Sequence, residues 1–467
     1  MKRTKIICTI GPASEKVTTL TSMMNAGMDV ARLNFSHGTH AGHRKLFQAV
    51  NKAAKEAGKH IPIIGDLQGP KIRVGNLPEK GVVFKAGQTV TFSTAQDTYK
   101  NDILPVTYKG LHKDVKKGDR LLIDDGLIGA VVESVKGQKI QAKIIDGGVI
   151  TSHKGMNFPD STLHVSALTE KDKADAVFAV NLGVDWVALS FVTEAKDVLA
   201  LKRLLRRHTP KGKMPPRVIV KIEKHEAIDR FSEILDATDA VMIARGDLGV
   251  EIAAEEVPVR QKEITEAARL AGKPVVVATQ MLDSMIRNPR PTRAEVSDVA
   301  NAVFDHADGV MLSGESATGK YPKQAVKMMA GIIEAAEESP FDDVLVDTTR
   351  PSDQLETLAH TIKLMANKGA IDAVVLSYEL APWAEASLKM HPEVPLYVAA
   401  RDEREARRVA LRWGVIPFVM KTQKETTFVK QSIKKLREAR KIKKGMHLGM
   451  VLGGIHGEGI DLVMVDK

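Results

Sequence analysis

The sequence predicts an α/β protein: a (β/α)8 TIM barrel interrupted by an inserted small β-barrel domain and followed by a C-terminal open-sheet α/β domain. Eight short apolar, β-branched runs alternate with longer stretches of helical periodicity, the pattern of βαβ units, and eight parallel strands close such a barrel. Between the third and fourth runs the helical texture disappears, and beyond residue 340 a second strand–helix series begins. The chain of 467 residues also exceeds what one core supports, because cores stop growing near ~250–300 residues.

The eight runs are Lys5–Ile10, Val30–Phe35, Ile61–Gly65, Trp186–Phe191, Arg217–Ile222, Ala240–Ala244, Pro274–Ala278 and Gly309–Leu312. In the insertion, alternating strands are expected at Val82–Phe84, Thr89–Ser93, Leu121–Ile123, Ala130–Val135 and Gln141–Ile145, punctuated by Gly and Asp. The acidic, irregular stretch Phe341–Pro351 reads as a linker. After it come strands at Ala373–Ser377, Pro395–Ala399, Val415–Phe418 and Gly449–Val451, separated by helical stretches such as Glu403–Trp413. The expected domains are therefore 1–69 with 164–339 for the catalytic barrel, 70–163 for an inserted β lid, and 340–467 for the C-terminal α/β domain.

Apolar residues at 43% and charged residues at 27% place the chain in the ordinary globular range. The start, MKRTKIICTIGP, has an apolar run only from Ile6 to Ile10 before Gly11-Pro12, so it reads as a first strand rather than a signal peptide or spanning helix. A single cysteine, Cys8, excludes an internal disulfide framework and is read as buried packing. A cytoplasmic protein without a membrane partner is expected. The net charge of +10 comes with only 4% aromatics and no zinc-finger or RNP-like pattern, so nucleic acid is not the expected partner. Lys434, Lys435, Arg437, Arg440, Lys441, Lys443 and Lys444 read as the wet face of an amphipathic helix.

Barrel enzymes draw their chemistry from the C-terminal ends of the strands. Here those ends read Arg32-Leu33-Asn34-Phe35-Ser36-His37, Gly65-Asp66, Lys221-Ile222-Glu223, Ala244-Arg245-Gly246-Asp247, Thr279-Gln280 and Ser313-Gly314-Glu315. Charged groups gathered at one end of an apolar barrel need an anionic substrate or a metal to offset their desolvation. Glu223 and Asp247 are hard oxygen ligands suited to Mg²⁺, which keeps several waters and takes one or two carboxylates. Lys221 lies on the same strand face as Glu223, since side chains alternate with period two. A lysine converging with a metal describes a clamp on a transferring phosphoryl group, and Arg32 and Arg73 add donors for phosphate oxygens.

These residues sit in segments, KIICTIGPAS, ARLNFSHG, DLQGPKIRVG, DDGLIG, KGMNFP, KIEKHEAIDRFSEIL, ARGDLGVEI and the long run from Ala278 to Pro322, that resemble pyruvate kinase in order and spacing. The resemblance implies transfer of a phosphoryl group from phosphoenolpyruvate to ADP, giving pyruvate and ATP, with Mg²⁺ (or Mn²⁺). It implies that Arg32 binds the substrate phosphate, that Lys221 stabilises the phosphoryl in flight, and that Glu223 and Asp247 hold the metal. Gly246, Asp247 and Thr279 would contact the carboxylate-bearing substrate, Thr279 lying on the path that protonates the enolate. Arg73, Lys154, His37 and Asn34 would meet the nucleotide, Lys154 from the lid. Asn34, Ser36 and Asp66 resemble a monovalent-cation site, but Asp66-Leu67-Gln68-Gly69-Pro70-Lys71 is similar to the K⁺-independent branch, in which an ammonium at Lys71 replaces the bound K⁺. A homotetramer is implied. The chain departs from the family at Asp160, where glycine is usual and φ > 0 is freely open only to glycine. Ser377–Trp383, in the place of a sugar-phosphate loop, carries Glu379 and Pro382, so no strong activation by a bisphosphorylated sugar is expected.

Two rival functions fit part of this pattern. A barrel lyase or mutase acting on phosphoenolpyruvate or pyruvate enolates would share the Mg²⁺ site, but Arg73 and Lys154 argue for a second, nucleotide substrate. A catalytically dead sensor would not need Lys221, Glu223, Asp247 and Thr279 together. Gly314–Lys320 matches a phosphate-loop pattern, but Tyr321 and Pro322 follow where a metal-binding hydroxyl is required. His37, His40 and His43 recur at spacing three without support for zinc, and His40 and His43 read as an exposed helix start.

Overall fold

A computed structural model describes residues 2–344, 354–377, 389–421, 425–452 and 459–465. Three strands open the chain, β1 (Lys5–Thr9), β2 (Val30–Asn34) and β3 (Ile63–Asp66). The insertion contributes β4 (Val82–Phe84), β5 (Thr89–Ser93), β6 (Ile103–Pro105), β7 (Arg120–Ile123), β8 (Ile128–Lys136), β9 (Lys139–Asp146), β10 (Gly148–Ile150) and β11 (Met156–Asn157). The helix-alternating series resumes with β12 (Trp186–Leu189), β13 (Arg217–Ile222), β14 (Ala240–Ala244), β15 (Val275–Ala278) and β16 (Gly309–Leu312). The last five strands are β17 (Ala373–Ser377), β18 (Leu396–Ala400), β19 (Val415–Val419), β20 (His447–Leu452) and β21 (Gly459–Met464).

The eight expected barrel strands close in the order β1-β16-β15-β14-β13-β12-β3-β2, every pairing parallel. Period-two alternation sorts their side chains. Ile7, Val30, Ile64, Trp186, Ala188, Ile219, Ala240, Met242, Val276 and Met311 fill the interior, while Ile6, Cys8, Leu33, Val220, Ile243 and Val277 face the helical sheath. Cys8 is buried as expected. Local signals set the helices: Thr169 with Asp172 and Thr292 with Glu295 form capping boxes that satisfy backbone donors at the starts of Glu170–Leu182 and Arg293–Phe304.

In the insertion, β11-β7-β8-β9-β5-β6 form one sheet and β10-β4 a second. Strands β6, β10 and β11 were not anticipated, being two or three residues long and too short for alternation to register. The C-terminal sheet runs β19-β18-β17-β20-β21, parallel except for β21, a strand also absent from the sequence reading. The helix expected over Glu403–Trp413 ends at Val409, and the basic run falls partly on the helix Glu425–Glu438.

The C-terminal domain docks on the N-terminal ends of the barrel strands. Lys5 Nζ donates to the Val415 carbonyl at 2.9 Å, Asp308 accepts from the Trp413 N–H at 2.9 Å, and Arg407 pairs with Asp185 at 3.0 Å. The opposite end of the barrel is left to the lid. Most of the linker expected over Phe341–Pro351, and all but Ser377 of the Ser377–Trp383 loop, lie outside the described residues.

Candidate active site

The inward files that fill the barrel with apolar side chains end in polar ones at its C-terminal mouth. Val30 is followed two residues on by Arg32, Ile64 by Asp66, Ala188 by Ser190, and Ile219 by Lys221 and then Glu223. The register brings five of them together. Arg32 Nε donates to Asp66 Oδ2 at 2.6 Å and its Nη1 to Thr9 Oγ1 at 2.9 Å. Lys221 Nζ donates to Ser190 Oγ at 2.9 Å and lies 2.7 Å from Glu223 Oε1 and 3.8 Å from Asp66 Oδ1. Glu223 Oε2 accepts the Phe191 N–H at 2.8 Å.

Arg32, Asp66, Ser190 and Glu223 are buried at the end of a closed barrel and Lys221 is nearly so, its side chain 12% exposed, and the electrostatics follow. Burial pulls the Lys221 ammonium down, but the carboxylates of Asp66 and Glu223 outweigh it and leave the group above its ordinary value. Burial also raises the Glu223 carboxyl, the like charge of Asp247 raises it further, and Lys221 opposes both. Asp66 Oδ1 is buried without a hydrogen-bond partner, and Glu223 Oε1 is met by the Lys221 ammonium at 2.7 Å. Two mutually repelling carboxylates, Glu223 and Asp247, at the end of the barrel suit a hard divalent cation. The donor set therefore fits Mg²⁺.

Asp247 opens the short helix Arg245–Glu251 that follows β14, and Lys71 Nζ lies 3.3 Å from its Oδ1. Lys71 therefore turns into the mouth rather than out to solvent. Its stem runs so close to Gly155 that a Cβ there would sit 3.0 Å from Lys71 Cε. Thr279 Oγ1 accepts the Gly246 N–H at 2.7 Å, joining the ends of β14 and β15. Phe191, Thr279 and Gln280 have φ of 54°, 71° and 54°. Left-handed backbone at a β-branched or bulky residue is strained, and such strain persists only where surrounding contacts impose it.

Arg73 and Lys154 sit in the neck of the lid, where the entering and leaving strands pair at Arg73 and Gly155. Their hydrogen bonds remain within the insertion: Arg73 Nη1 to the His153 carbonyl at 2.8 Å, Lys154 Nζ to Asp124 Oδ1 at 2.8 Å. The lid is fastened to the barrel by Asn157 Nδ2, which donates to Glu251 Oε1 at 2.9 Å. His37 is exposed beyond β2, and Asn34 Oδ1 accepts the Ser36 N–H at 3.1 Å. Asp160 does not take a positive φ, so no glycine is required there; its carboxylate is gripped by the Arg120 guanidinium at 2.7 and 2.9 Å.

Several strand-end residues serve the scaffold instead. Arg245 clasps Asp298 at 2.5 and 2.6 Å and donates to the carbonyl of Thr279 at 2.9 Å, and Glu315 accepts the N–H groups of Leu282 and Ser313. Gly314–Gly319 folds on itself, the Gly314 carbonyl accepting from Thr318 and Gly319, which leaves no phosphate cradle. The expectation of an exposed His43 is overturned: it is buried, its Nε2 2.8 Å from the His37 carbonyl, while His40 is exposed and stacks on Phe178. His225, Glu226 and Glu251 lie close enough to share a metal, but Lys224 stands 3.7 Å from both carboxylates and makes the group an ion network. Ser190 and Phe191 were missed because the fourth run was read as strand to its end; continuing its alternation, Trp186, Ala188, Ser190, would have placed the hydroxyl at the mouth.

Two family models match the chain, "Pyruvate kinase, barrel domain" over residues 1–326 and "Pyruvate kinase, alpha/beta domain" over residues 356–465. The pyruvate kinase of Geobacillus stearothermophilus is 42% identical over 419 residues, covering 89% of this chain and 71% of the relative. That of Mycobacterium tuberculosis is 40% identical over 457 residues, covering 98% and 96%. Among solved structures, a pyruvate kinase from Cryptosporidium parvum superposes with a TM-score of 0.92 at 33% identity, covering 99% of this chain and 96% of the other.

Proposed function

The chain belongs to the pyruvate kinase family, and we propose a division of labour among the residues at its barrel mouth. It is a phosphotransferase that moves the phosphoryl group of phosphoenolpyruvate to ADP, giving pyruvate and ATP in the last step of glycolysis. That membership displaces the lyase alternative, and the presence of Lys221, Glu223, Asp247 and Thr279 together disfavours a catalytically dead sensor.

The observation that carries the assignment of roles is the convergence of Arg32 and Lys221 on the carboxylates of Asp66 and Glu223. Arg32 holds the substrate phosphate against Asp66 as counter-charge. Lys221 aims its ammonium at the phosphoryl while the bond to the enol oxygen breaks and the bond to a terminal ADP oxygen forms. Mg²⁺ or Mn²⁺, held by Glu223 and Asp247, supplies Lewis-acid charge for the phosphoryl and enolate oxygens. The Gly246 N–H and Thr279, hydrogen-bonded to each other here, would exchange that bond for the substrate carboxylate, and Thr279 lies on the route by which the enolate carbon gains its proton. Arg73, Lys154, His37 and Asn34 receive the nucleotide as the lid closes.

The engagement of Asp66 by Arg32 and Lys221, and of Asp247 by Lys71, supports activity without K⁺, because this chain's own cations already face the carboxylates. Asn34, Ser36 and Asp66 then form a monovalent-cation-like site that needs no ion. Among the described residues no helix is long and apolar enough to cross a membrane; a cytoplasmic enzyme of small polyanions is the reading that family membership supports. An apolar groove of about 670 Å³ lined by Phe304, Met328, Ile332 and Phe341, the last 77% exposed, supports self-association toward a homotetramer. Formation of pyruvate from phosphoenolpyruvate and ADP, measured with and without Mg²⁺ and K⁺, tests the assignment; metal-independent turnover would refute it.

A further inference from the structure

We infer that Ser190 is a positioning residue of the phosphoryl transfer, the tether that holds the Lys221 ammonium on target once the metal has taken Glu223. This rests on the role given to Lys221 above. Ser190 is buried, 1% exposed, one residue beyond β12 and facing the mouth. Its Oγ–H donates to the Leu67 carbonyl at 2.7 Å, so its proton is committed and its lone pairs are left to accept from Lys221 Nζ at 2.9 Å. The hydroxyl is thereby fixed as an acceptor, which favours the charged amine and fixes its direction.

The other contacts of the ammonium are of a different kind. Glu223 Oε1 lies 2.7 Å away, but it is an oxygen a divalent cation would claim, and Asp66 Oδ1 at 3.8 Å is beyond hydrogen-bond reach. Only Ser190 offers a neutral acceptor with no other duty at the mouth. The turn that presents it is rigid for a stated reason. Phe191 is held at φ 54° while its N–H donates to Glu223 Oε2, and Gly69, itself at φ 69°, leaves no room for a Cβ, which would meet the Phe191 ring at 2.7 Å and Ser190 Cβ at 3.0 Å. Two successive residues thus orient the two charged partners: the side chain of Ser190 sets Lys221, and the backbone of Phe191 sets Glu223.

The two halves of this turn separate in experiment. Ser190→Ala should lower kcat about 10- to 100-fold, the loss expected for one hydrogen bond to a charged group acting in the transition state. The KM for phosphoenolpyruvate should stay within about twofold and the affinity for Mn²⁺ alone should be unchanged, because the Phe191 N–H still holds Glu223. Ser190→Thr, which keeps the oxygen, should recover most of the rate. Unchanged kcat in Ser190→Ala, a parallel loss of Mn²⁺ affinity, or a Thr variant as slow as the Ala variant would each overturn the inference. Lys221→Met keeps the two levels apart: if it turns over normally the role of Lys221 fails, whereas a dead Lys221→Met beside a normal Ser190→Ala refutes the tether alone.

Discussion

On the proposal that Lys71 takes the place of a bound K⁺, Lys71→Glu should make activity depend on K⁺. The Lys71 ammonium lies 3.3 Å from Asp247 Oδ1, with 28% and 25% of the two side chains exposed. A pair at this range is worth about 5 kcal/mol at an effective dielectric near 20, and solvent at a site this open leaves about 1–2 kcal/mol. Replacing the cation by an anion turns that attraction into repulsion of similar size, a swing of about 3 kcal/mol, or roughly 10²-fold in kcat/KM for substrates that arrive as polyanions with a metal. The assay is pyruvate formation in buffer free of Na⁺ and K⁺, with an organic cation at constant ionic strength. The parent should be indifferent to added K⁺, and the Glu variant should be about 10²-fold slower without K⁺ and largely restored with it. Lys71→Met, which removes the charge without creating a cation ligand, should lose about tenfold and gain nothing from K⁺. A parent that needs K⁺, or a Glu variant indifferent to it, refutes the reasoning.

Lys221→Met should fold normally and lose at least about 10²–10³ in kcat, since it removes one cation aimed at charge that develops in the transition state; near-normal turnover would refute its role. Glu223→Gln should shift the Mg²⁺ titration to higher concentration, and an unmoved titration would remove Glu223 from the ligand set. At the far end of the barrel, burial is the main reason the Lys5 ammonium falls from 10.5 to about 8. A base whose pKa is lowered on folding destabilises fully below the folded value, and the cost fades as pH climbs from about 8 toward 10.5. Lys5→Met should therefore stabilise by up to about 3 kcal/mol at pH 7, less the bond lost to Val415, with the gain shrinking by pH 10; equal gains at both pH values in thermal melts would contradict it. Adding a bisphosphorylated sugar should leave the apparent affinity for phosphoenolpyruvate within twofold, and a several-fold gain abolished by changes in 378–383 would overturn that expectation.

What could be read from the sequence divides along physical lines. The barrel was legible because its strands are buried on both faces and written as apolar runs, and because alternation carries each inward file to a polar residue at the mouth; Ile219, Lys221 and Glu223 are the clearest case. The short strands of the insertion carry too few residues for a period to show, and β21 follows a Gly-rich stretch. Alternation carried past Leu189 reaches Ser190, but its role as a fixed acceptor does not show in residue type, and Phe191 and Gly155 were invisible because they act through a left-handed backbone and a close approach to Lys71. His43 was misplaced because its helix face meets Phe35, a contact set by tertiary packing.

Charge balance explains why so polar a mouth can fold at all. Arg32, Lys221 and Lys71 face Asp66, Glu223 and Asp247, three cations against three carboxylates, paired at 2.6, 2.7 and 3.3 Å. Held singly, the inner four, Arg32, Asp66, Lys221 and Glu223, would each carry a desolvation penalty of several kcal/mol; interleaved with the more open Lys71–Asp247 pair, their charges balance. The arrangement also dictates what can enter. A divalent cation held by Glu223 and Asp247 would compete with Lys221 and Lys71 for those two carboxylates, and the ammonium charge would then be available to phosphate oxygens. Either ligand alone would unbalance the mouth: a bare polyanion would meet three carboxylates, and a bare metal would strand two lysines. Binding of metal and phosphorylated substrate should accordingly be mutually reinforcing, and removing either lysine should weaken that coupling more than it weakens the affinity for the metal alone.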